Sequence, residues 1–461
     1  MRIMTEEKSA SKFRPGQVFL IGLAFFTTFS WSLYNSQVNR ALDRYFGLLA
    51  LSGLIVGAIL AIDNVIGVII QPIMGNISDN TRTKYGRRMP YIVIGVTLSA
   101  VFFMLIPTGF PTDFESGGSG LIWLIFLWIL CFSISMGFYR SQAVALMPDF
   151  VKPTHRSKAN AIINIMGGIG AVIAFSLSLF IGINVYLPFI IAGVIMLVAM
   201  VILFLTIHER DSYSYQLLLE TEAKEGEKVH ETKERLSLGQ SFKDIFKEKD
   251  KSTLFILIAI LFWFIAYNGM ESLFSIYAGP YDPSGINGSP NGVLEFSGGM
   301  AGFIFNFVAI PFIIAAYPLS LLANRIGRRT CIKIGLVIMI ASLLIGFLVR
   351  TQIVTLIILV CFGVGWAFVN INSIVIVWEL APSLRKIGTY TGLYYFFSVL
   401  AAIVGPPLIG VMRDLLGKEY LLLNGALFLI IALILMFFVK RGEVELTDEE
   451  KLARQMKIAE L

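Results

Sequence analysis

Long apolar runs, each close to the length that crosses a bilayer, recur from one end of the chain to the other. A helix needs about 20 apolar residues to cross the roughly 30 Å hydrocarbon core of a membrane. We predict twelve membrane-spanning helices, at 18–38, 50–74, 90–108, 121–147, 159–181, 186–207, 253–278, 299–323, 330–349, 353–379, 388–411 and 420–440. The sequence therefore predicts an all-α integral membrane protein.

The overall composition agrees with this interpretation. The 461 residues are 56% hydrophobic and 15% charged, whereas soluble domains carry about 25% charged residues. The net charge of +6 resides in loops and tails, and no soluble segment has the basic and aromatic density that indicates nucleic-acid binding. The three cysteines lie inside apolar runs, which indicates buried side chains rather than a disulfide framework.

Polar segments divide the chain into five predicted parts. These are a cytoplasmic tail (1–17), a six-helix bundle (18–207), a cytoplasmic linker (208–252), a second six-helix bundle (253–440) and a cytoplasmic tail (441–461). Lys and Arg collect in the first tail and in alternate connections but are missing from 108–120, 182–185 and 279–298. Because Lys and Arg favour the cytoplasmic side, we expect both termini there. Four basic residues depart from the rule, and we place them in short outer turns: Arg40, Arg44, Arg413 and Lys418.

A short basic turn occurs once in each half of the chain. The first copy is GNISDNTRTKYGRRMP at 75–90, and a partial second copy is ANRIGRR at 323–329. The two Gly-Arg-Arg cores are 241 residues apart, about half of the chain. A repeat at this spacing indicates two related halves. We therefore expect two pseudo-symmetric bundles of six helices.

The pattern G-x-x-x-D-R-x-G-R-R resembles the loop that marks the major facilitator transporters. The first copy is longer, with about four extra residues between Asp79 and Gly86, and it ends in G-R-R-x-P. This longer form is similar to the loop of the sugar:cation symporters that include plant sucrose transporters and the melibiose permease group. The resemblance implies the major facilitator fold and secondary active transport of a sugar or glycoside, without a cofactor.

An acid within a predicted span is the next observation, because a charge inside a membrane is costly and usually functional. Asp63 lies about 18 Å from the predicted cytoplasmic end of its helix at 1.5 Å per residue, close to mid-membrane. Arg140 is predicted at a similar depth on the fourth span. We expect Asp63 to take up and release a proton and Arg140 to sense its charge. The alternative is a fixed structural ion pair.

Sodium coupling is less favoured by the resemblance. The melibiose permease group carries D-x-x-x-D-P-x-x-G on the second helix, where the acids bind sodium. Gly67 and Gln71 stand in place of those two acids here, which argues against that sodium site and favours protons. No cluster of His and Cys has metal-ligand spacing, so we predict no metal site.

Sugar binding requires amides or charges for the hydroxyl groups and aromatic rings for the C–H faces, and the spans supply both. A local match to the sucrose transporters covers Asp149, Arg156 and Asn160, although the family's arginine five residues before the aspartate is Val144 here. Hydrogen bonding between helices explains a buried Asn equally well. The predicted substrate-binding residues are Asn64, Gln142, Asn160, Asn164, Tyr267, Asn268, Glu271, Asn306, Trp366, Asn370 and Tyr394.

The basic turns also predict contacts that form when the cytoplasmic side is shut, unless their charge serves topology alone. We expect Asp79 to pair with Arg87, Arg88 or a helix end, Asp149 with Arg156, and Glu379 with Arg385 or Arg325. Exposed pairs are worth under about 1 kcal/mol each, yet they can bias a two-state equilibrium. The predicted cytoplasmic gate comprises Asp79, Gly86, Arg87, Arg88, Asp149, Arg156, Arg325, Gly327, Arg328 and Glu379.

These predictions describe a monomeric transporter of the plasma membrane that imports a sugar or glycoside, in particular a di- or oligosaccharide, with a proton. Two alternatives stay open. An exporter of drugs or lipid-like amphiphiles requires an apolar cavity, and a non-transporting sensor requires signalling through 208–252. We do not expect an enzyme, because the chain lacks H-E-x-x-H, a phosphate-binding loop and any catalytic cluster.

Overall fold

The computed structural model of the chain describes residues 14–110, 121–151, 156–182, 184–212, 214–216, 250–283, 289–380 and 387–442. Fifteen α-helices in these residues build 12 spans that are long and apolar enough to cross a membrane. The predicted spans agree with them to within a few residues, except that the first runs Pro15–Phe46 instead of 18–38. Most of the two tails and of the linker lies outside the described residues.

Three of the twelve spans are broken into two helices each. The first consists of α1 (Pro15–Phe26) and α2 (Ser30–Phe46), joined by a 3-10 turn, Thr27–Phe29. The second consists of α3 (Ser52–Leu60) and α4 (Ile62–Asp79), which meet at Ala61. The remaining helices of the first half are α5 (Met89–Leu105), α6 (Ile122–Phe150), α7 (Arg156–Leu177) and α8 (Tyr186–Thr206).

The second half contains the third broken span, α10 (Gly298–Phe303) followed by α11 (Asn306–Ile326). Its other helices are α9 (Ser252–Ala278), α12 (Arg328–Leu348), α13 (Gln352–Glu379), α14 (Ile387–Leu416) and α15 (Leu421–Phe438).

The described residues form two compact units. Unit 1 draws on Met1–Ala41, Ile62–Thr232 and Gly298–Phe303, and unit 2 on Leu42–Ala61, Lys233–Ser297 and Ile304–Leu461. Each unit thus includes one short segment from the opposite half of the sequence.

Small residues set the helix packing in unit 1. There α6 packs against α4 and α5, α5 against α8, and α1 against α7. A Cβ added at Gly95 of α5 would lie 2.5 Å from the Cβ of Tyr139 on α6. In the same way, a Cβ at Gly137 of α6 would lie 3.9 Å from the Cα of Gly67 on α4. Membrane helices associate through such small residues because apolar side chains gain little by leaving lipid.

Small residues also allow close helix packing in unit 2. Its helix α9 packs against α14 and α15, and α13 packs against α11 and α12. The short α3 lies on α14, where a Cβ at Gly410 would collide with the carbonyl oxygen of Gly53. This close approach carries α3, which belongs to the second span, into unit 2.

Candidate functional site

Asp63 lies at a break in a transmembrane helix. Because α3 ends at Leu60 and α4 begins at Ile62, Asp63 falls in the first turn of α4, near the middle of the span Ser52–Asp79. Its side chain is buried, and its Oδ1 accepts a hydrogen bond of 2.9 Å from Nδ2 of Asn64. The backbone N–H of Asn64 also donates to this carboxylate. A helix break frees such donors, because the first N–H groups of a helix have no partner within it.

Arg140 is held beside Asp63 by an aromatic ring. The guanidinium carbon lies 3.8 Å from the ring centroid of Trp31 on α2, a cation–π contact worth up to about 2 kcal/mol when it is desolvated. The positive charge of Arg140 acts on the Asp63 carboxylate. The structure therefore places Arg140 within electrostatic range of Asp63, the residue with which the sequence analysis paired it.

Helix α2 presents polar side chains toward this site, and the sequence analysis did not include them. Thr27, just before α2, has its Oγ1 3.0 Å from the hydroxyl of Tyr139 on α6. Trp31 follows with its contact to Arg140, and the fully buried Tyr34 interacts electrostatically with Asp63. Spacings of three and four residues put these side chains on one helix face. Polar residues at that spacing inside the first apolar run were the available signal.

The predicted substrate-binding residues of the first half have different environments. Asn64 is bonded to Asp63, and Gln142 is fully buried with its Oε1 accepting a 3.0 Å bond from Ser141. Asn164 is exposed. The side chain of Asn160 lies outside the described residues. Only Asn64 is therefore placed directly at the Asp63 carboxylate.

Aromatic residues predicted for substrate binding gather in unit 2. Tyr267 and Trp366 stack with ring centroids 4.2 Å apart and 12° between the planes. Phe264 meets Trp366 edge-on at 5.3 Å and Tyr394 edge-on at 6.2 Å. Trp366 and Tyr394, from α13 and α14, thus contact Phe264 of α9, and Tyr267 joins them through Trp366. We call Phe264, Tyr267, Trp366 and Tyr394 the aromatic cluster.

Several polar residues near the aromatic cluster already have partners in the protein. Nδ2 of Asn268 donates to the carbonyl of Phe264 at 2.8 Å. The hydroxyl of Ser373 lies 2.8 Å from the carbonyl of Asn370 and 3.1 Å from the hydroxyl of Tyr394. For Asn268 this bond favours a structural role within its helix.

Two further predicted residues lie in unit 2. Asn306 is buried at the start of α11, and Glu271 acts electrostatically on Tyr267. Of the two, the contact of Glu271 places it beside the aromatic cluster.

The first basic turn holds a buried ion network. Arg88 donates from Nε to Oδ2 of Asp149 at 2.5 Å and from Nη2 to Oδ1 of Asp79 at 3.0 Å. Arg87 donates from Nη2 to Oδ1 of Asp149 at 2.8 Å. The predicted pair of Asp79 with Arg88 is confirmed. Asp149 binds these two arginines, while the side chain of its predicted partner Arg156 lies outside the described residues.

Glu209, which follows α8, completes this network. Its carboxylate accepts hydrogen bonds from the backbone N–H groups of Arg87 at 3.1 Å, Arg88 at 2.8 Å and Met89 at 2.8 Å, at the start of α5. A carboxylate is favourable there because it satisfies unpaired donors and opposes the helix dipole. Gly86 adopts a φ of 107°, and a Cβ there would lie 2.5 Å from the Glu209 carboxylate. No sequence pattern linked residues this far apart.

Burial and charge act in opposite directions on this network. Burial raises the pKa of Glu209, and the backbone donors of Met89, Arg88 and Arg87 partly offset it. Burial alone would lower the pKa of Arg88, but Asp149, Asp79 and Glu209 outweigh it and raise that pKa. Arg88 is therefore a permanently charged centre of the network.

The second basic turn also has a glycine at positive φ but makes weaker contacts. Gly327 adopts a φ of 90°, and α12 begins at Arg328. Arg328 lies 3.6 Å from Glu379, and Arg329 donates to the carbonyl of Val439 at 3.4 Å. Glu379 is thus paired with a different arginine from those we predicted. Of these, Arg325 is exposed and Arg385 lies outside the described residues.

The predicted placement of three basic residues in outer turns is wrong. Arg40 and Arg44 lie within α2, which continues to Phe46, and Arg413 lies within α14, which continues to Leu416. Lys418 occupies the 3-10 turn Lys418–Tyr420 and donates to the carbonyl of Pro290 at 2.9 Å. The helices therefore extend past the predicted apolar runs, and contacts within the protein bury part of their charged ends.

Arg413 is the clearest example of such a contact. It is 3% exposed, lies 3.9 Å from Asp43, and donates to Asp414 at 3.0 Å and to Ser52 at 2.9 Å. Asp414 in turn accepts 3.0 Å bonds from the first backbone N–H groups of α3. Removing one partner of such a buried set leaves an uncompensated charge, so the cation is retained at this end of the spans.

Metal binding has no support in the described residues, where no group of three or more His, Cys, Asp or Glu could hold an ion.

The twelve spans define a multi-pass membrane protein. A family model described as "Major Facilitator Superfamily" matches residues 20–294 and 286–459. The chain belongs to the Major Facilitator Superfamily, and the predicted fold is confirmed.

Curated relatives match shorter parts of the chain. The sucrose transport protein SUC3 of Arabidopsis thaliana is 27% identical over 164 residues, which cover 32% of this chain and 26% of that protein. The lactose permease of Lactobacillus helveticus is 35% identical over 86 residues, which cover 18% of this chain and 12% of that protein. The chain therefore matches about a quarter or less of the length of these relatives.

Solved structures share the fold over almost the whole chain. A variant of the nucleoside transporter NupG gives a TM-score of 0.65 at 16% identity and covers 92% of this chain and 100% of its own. A bacterial homologue of the human lysosomal transporter Spinster gives a TM-score of 0.65 at 14% identity and covers 94% and 98%. At these identities the likeness concerns the fold.

Proposed function

We propose that this transporter imports a sugar or glycoside together with a proton. The observation that carries the proposal is the Asp63 carboxylate, which is buried near the middle of a span, bonded to Asn64 and acted on by Arg140. An ionisable side chain in this position is costly and is usually functional. Broken transmembrane helices with their half-helix ends at the site are a common construction in secondary transporters.

Asp63 would couple the proton to conformation through its charge. When it is ionised, it attracts Arg140, and the cation–π contact with Trp31 limits how far that guanidinium can move. Protonation removes the attraction and therefore changes the relative energies of any two conformations in which the Asp63–Arg140 distance differs. The proton and the sugar are coupled if the sugar binds better to one of these two charge states.

A sugar substrate is supported by two observations. The curated relatives include proteins named as sucrose and lactose transporters. In addition, the aromatic cluster contains the kind of ring that binds the C–H face of a sugar, and Glu271, which acts electrostatically on Tyr267, would supply a hydroxyl acceptor. We propose Tyr267, Trp366 and Tyr394 as the aromatic part of the substrate site, with Glu271 as a polar contact.

The test uses the purified full-length chain in liposomes that enclose a pH-sensitive dye. Mono-, di- and trisaccharides, including sucrose and lactose, are added without sodium. We expect internal acidification with at least one sugar. No proton movement with any sugar, in the absence and presence of sodium, would overturn proton-coupled sugar import.

Asp63→Asn then tests the proposed proton carrier. The amide keeps the size of the side chain but cannot ionise, so we expect concentrative uptake to be lost while exchange of labelled sugar across the membrane persists. Glu295→Gln is the matched acid-to-amide control, because Glu295 is exposed and lies outside the proposed site. Full concentrative uptake by Asp63→Asn would contradict the role of Asp63.

A further inference from the structure

The face of α2 next to Asp63 carries buried polar atoms that no protein group satisfies. Among the described residues, the hydroxyl of Tyr34 and both amide atoms of Gln37 are buried without a hydrogen-bond partner. Tyr34 is 0% exposed and Gln37 is 1% exposed. An amide or hydroxyl buried in this way destabilises the protein unless water or a ligand pairs with it. With Nε1 of Trp31, which is also buried without a partner, the protein therefore tolerates four costly atoms on neighbouring turns of one helix.

Position distinguishes Tyr34 and Gln37 from other buried polar atoms of this kind. Tyr277, for example, also has an unpaired buried hydroxyl, but its ring lies against Phe274 in unit 2. Tyr34, by contrast, interacts electrostatically with Asp63. Gln37 follows three residues later, about 4.5 Å further along the helix axis. The two side chains thus lead away from Asp63 along α2.

Tyr34 and Gln37 form a row of polar side chains along α2. The end of this row at Gln37 is lined by small and polar groups. A Cβ at Gly302 of α10 would collide with the Gln37 amide and would lie 2.7 Å from the hydroxyl of Ser178. Ser178 in turn lies 3.4 Å from the hydroxyl of Ser36 on α2. The absence of a side chain at Gly302 leaves room for the Gln37 amide between α2 and the turn that begins at Ser178. This region lies toward the end of α2 that our topology places on the outer side.

We propose that Tyr34 and Gln37 are positioning residues for proton delivery from the outer end of α2 to Asp63. The inference rests on the proposed function, since it concerns the path of the coupling proton. Waters that enter the row in an outward-open conformation would bond to the unpaired amide and hydroxyl and so form a continuous chain. The polar atoms of Tyr34 and Gln37, which have no hydrogen-bond partner in this structure, then bind the waters of this chain.

The proton balance of this delivery is simple. A hydronium at the outer end passes a proton to the first water, and each water passes one of its own protons onward. The Tyr34 hydroxyl accepts a proton from the water behind it and donates its own toward Asp63. The carboxylate becomes a neutral acid, while Tyr34 and Gln37 end in their starting states and Arg140 keeps its charge. The charged and titratable groups that act on Asp63 are Tyr34 from α2 and Arg140 from α6.

The experiment compares net proton-driven uptake with equilibrium exchange in the liposomes described above, using sucrose or lactose, whichever the wild type moves. Tyr34→Phe removes one hydroxyl, and Gln37→Leu removes the amide with little change in size. We expect each variant to slow net uptake by about tenfold, which is about 1.4 kcal/mol in the barrier. Exchange, which needs no net proton delivery, should stay within about twofold of the wild type.

Acid rescue separates proton delivery from a general structural defect. Lowering the external pH from about 7.5 to about 5.5 supplies roughly a hundredfold more protons, so slow delivery should be compensated in both variants. Tyr277→Phe is the matched control, because it deletes another unpaired buried hydroxyl outside the row, and we expect it to transport as the wild type does.

The outcomes distinguish this inference from the proposed function. A wild type that moves protons with sugar, combined with Tyr34→Phe and Gln37→Leu variants that match Tyr277→Phe, would overturn the inference and leave the proposed function intact. Loss of exchange and net uptake together, without acid rescue, would also overturn it. If the wild type moves no protons with any sugar, both fail. Tyr34→Phe decides the case if Gln37→Leu does not fold.

Discussion

The two Gly-Arg-Arg turns share a glycine at positive φ. Gly86 and Gly327 have φ values of 107° and 90°, a region that favours glycine, and a helix begins within three residues of each. A residue with a Cβ pays about 1–2 kcal/mol to adopt such a conformation. The glycine in each repeat is therefore explained by local geometry alone.

The contacts of the two turns differ greatly. In the first, Arg87 and Arg88 share Asp149, whose side chain is 7% exposed, and Glu209 bonds to three backbone N–H groups. In the second, Arg328 is 3.6 Å from Glu379, whose side chain is 32% exposed. The repeat has thus preserved the turn while the buried ion network occurs in the first copy. Similar motifs need not contribute similar energies.

Arg88→Ala is the strongest test of this difference. It leaves Asp149 buried with one arginine and removes the partner of Asp79, so we expect a loss of about 3 kcal/mol in the free energy of unfolding. Thermal unfolding in detergent should show the largest decrease in melting temperature among the turn variants. Arg329→Ala is the control at the same motif position, and an equal decrease there would remove the proposed asymmetry.

Gly86→Ala should have the next largest effect. Its Cβ carries the cost of positive φ and must also displace the Glu209 carboxylate, so we expect a loss of about 2 kcal/mol. Gly327→Ala shares the φ cost and serves as the control. Thermal unfolding of the two variants measures the difference, and a larger loss at Gly327 would contradict the assigned role of Glu209.

Glu209→Gln should cost about 1–2 kcal/mol. The amide can still accept hydrogen bonds at the start of α5, but it loses the charge that strengthens them and the attraction to Arg88, which together have this typical magnitude. Glu209→Ala should lower the melting temperature further, because it leaves the backbone donors without an acceptor. Equal melting temperatures for the two variants would show that the bonds contribute little.

The sequence predicted the fold well because its signals are local. Each apolar run predicts one membrane span, and each Gly-Arg-Arg copy predicts one turn. Asp63 and Arg140 were predicted as a pair because each is an isolated charge in an apolar run. Trp31 and Tyr34 escaped notice, since aromatic residues are ordinary in a membrane helix until their neighbours are known.

Long-range contacts were the part that the sequence did not reveal. Glu209 falls in the predicted polar linker, yet it is 1% exposed and lies against a helix that begins 120 residues earlier. Arg413 was predicted in a short outer turn as an exception to the charge rule, yet it is buried between Asp43 and Asp414. In both cases the partner lies on a distant span, and the spacing of residues along one helix does not indicate which distant residue will be the partner.

Arg328→Gln should have the smallest effect of these variants and tests the weaker contacts of the second turn. Its pair with Glu379 is long and partly exposed, and such pairs contribute under about 1 kcal/mol because solvent screens them and ordering two side chains costs entropy. Thermal unfolding should change by no more than a degree or two, and added salt should remove the change. Arg88→Gln, the same substitution in the first turn, should cost several times more and depend little on salt, since its partner Asp149 is buried. Equal losses and equal salt dependence would mean that the two turns are energetically equivalent despite their different contacts.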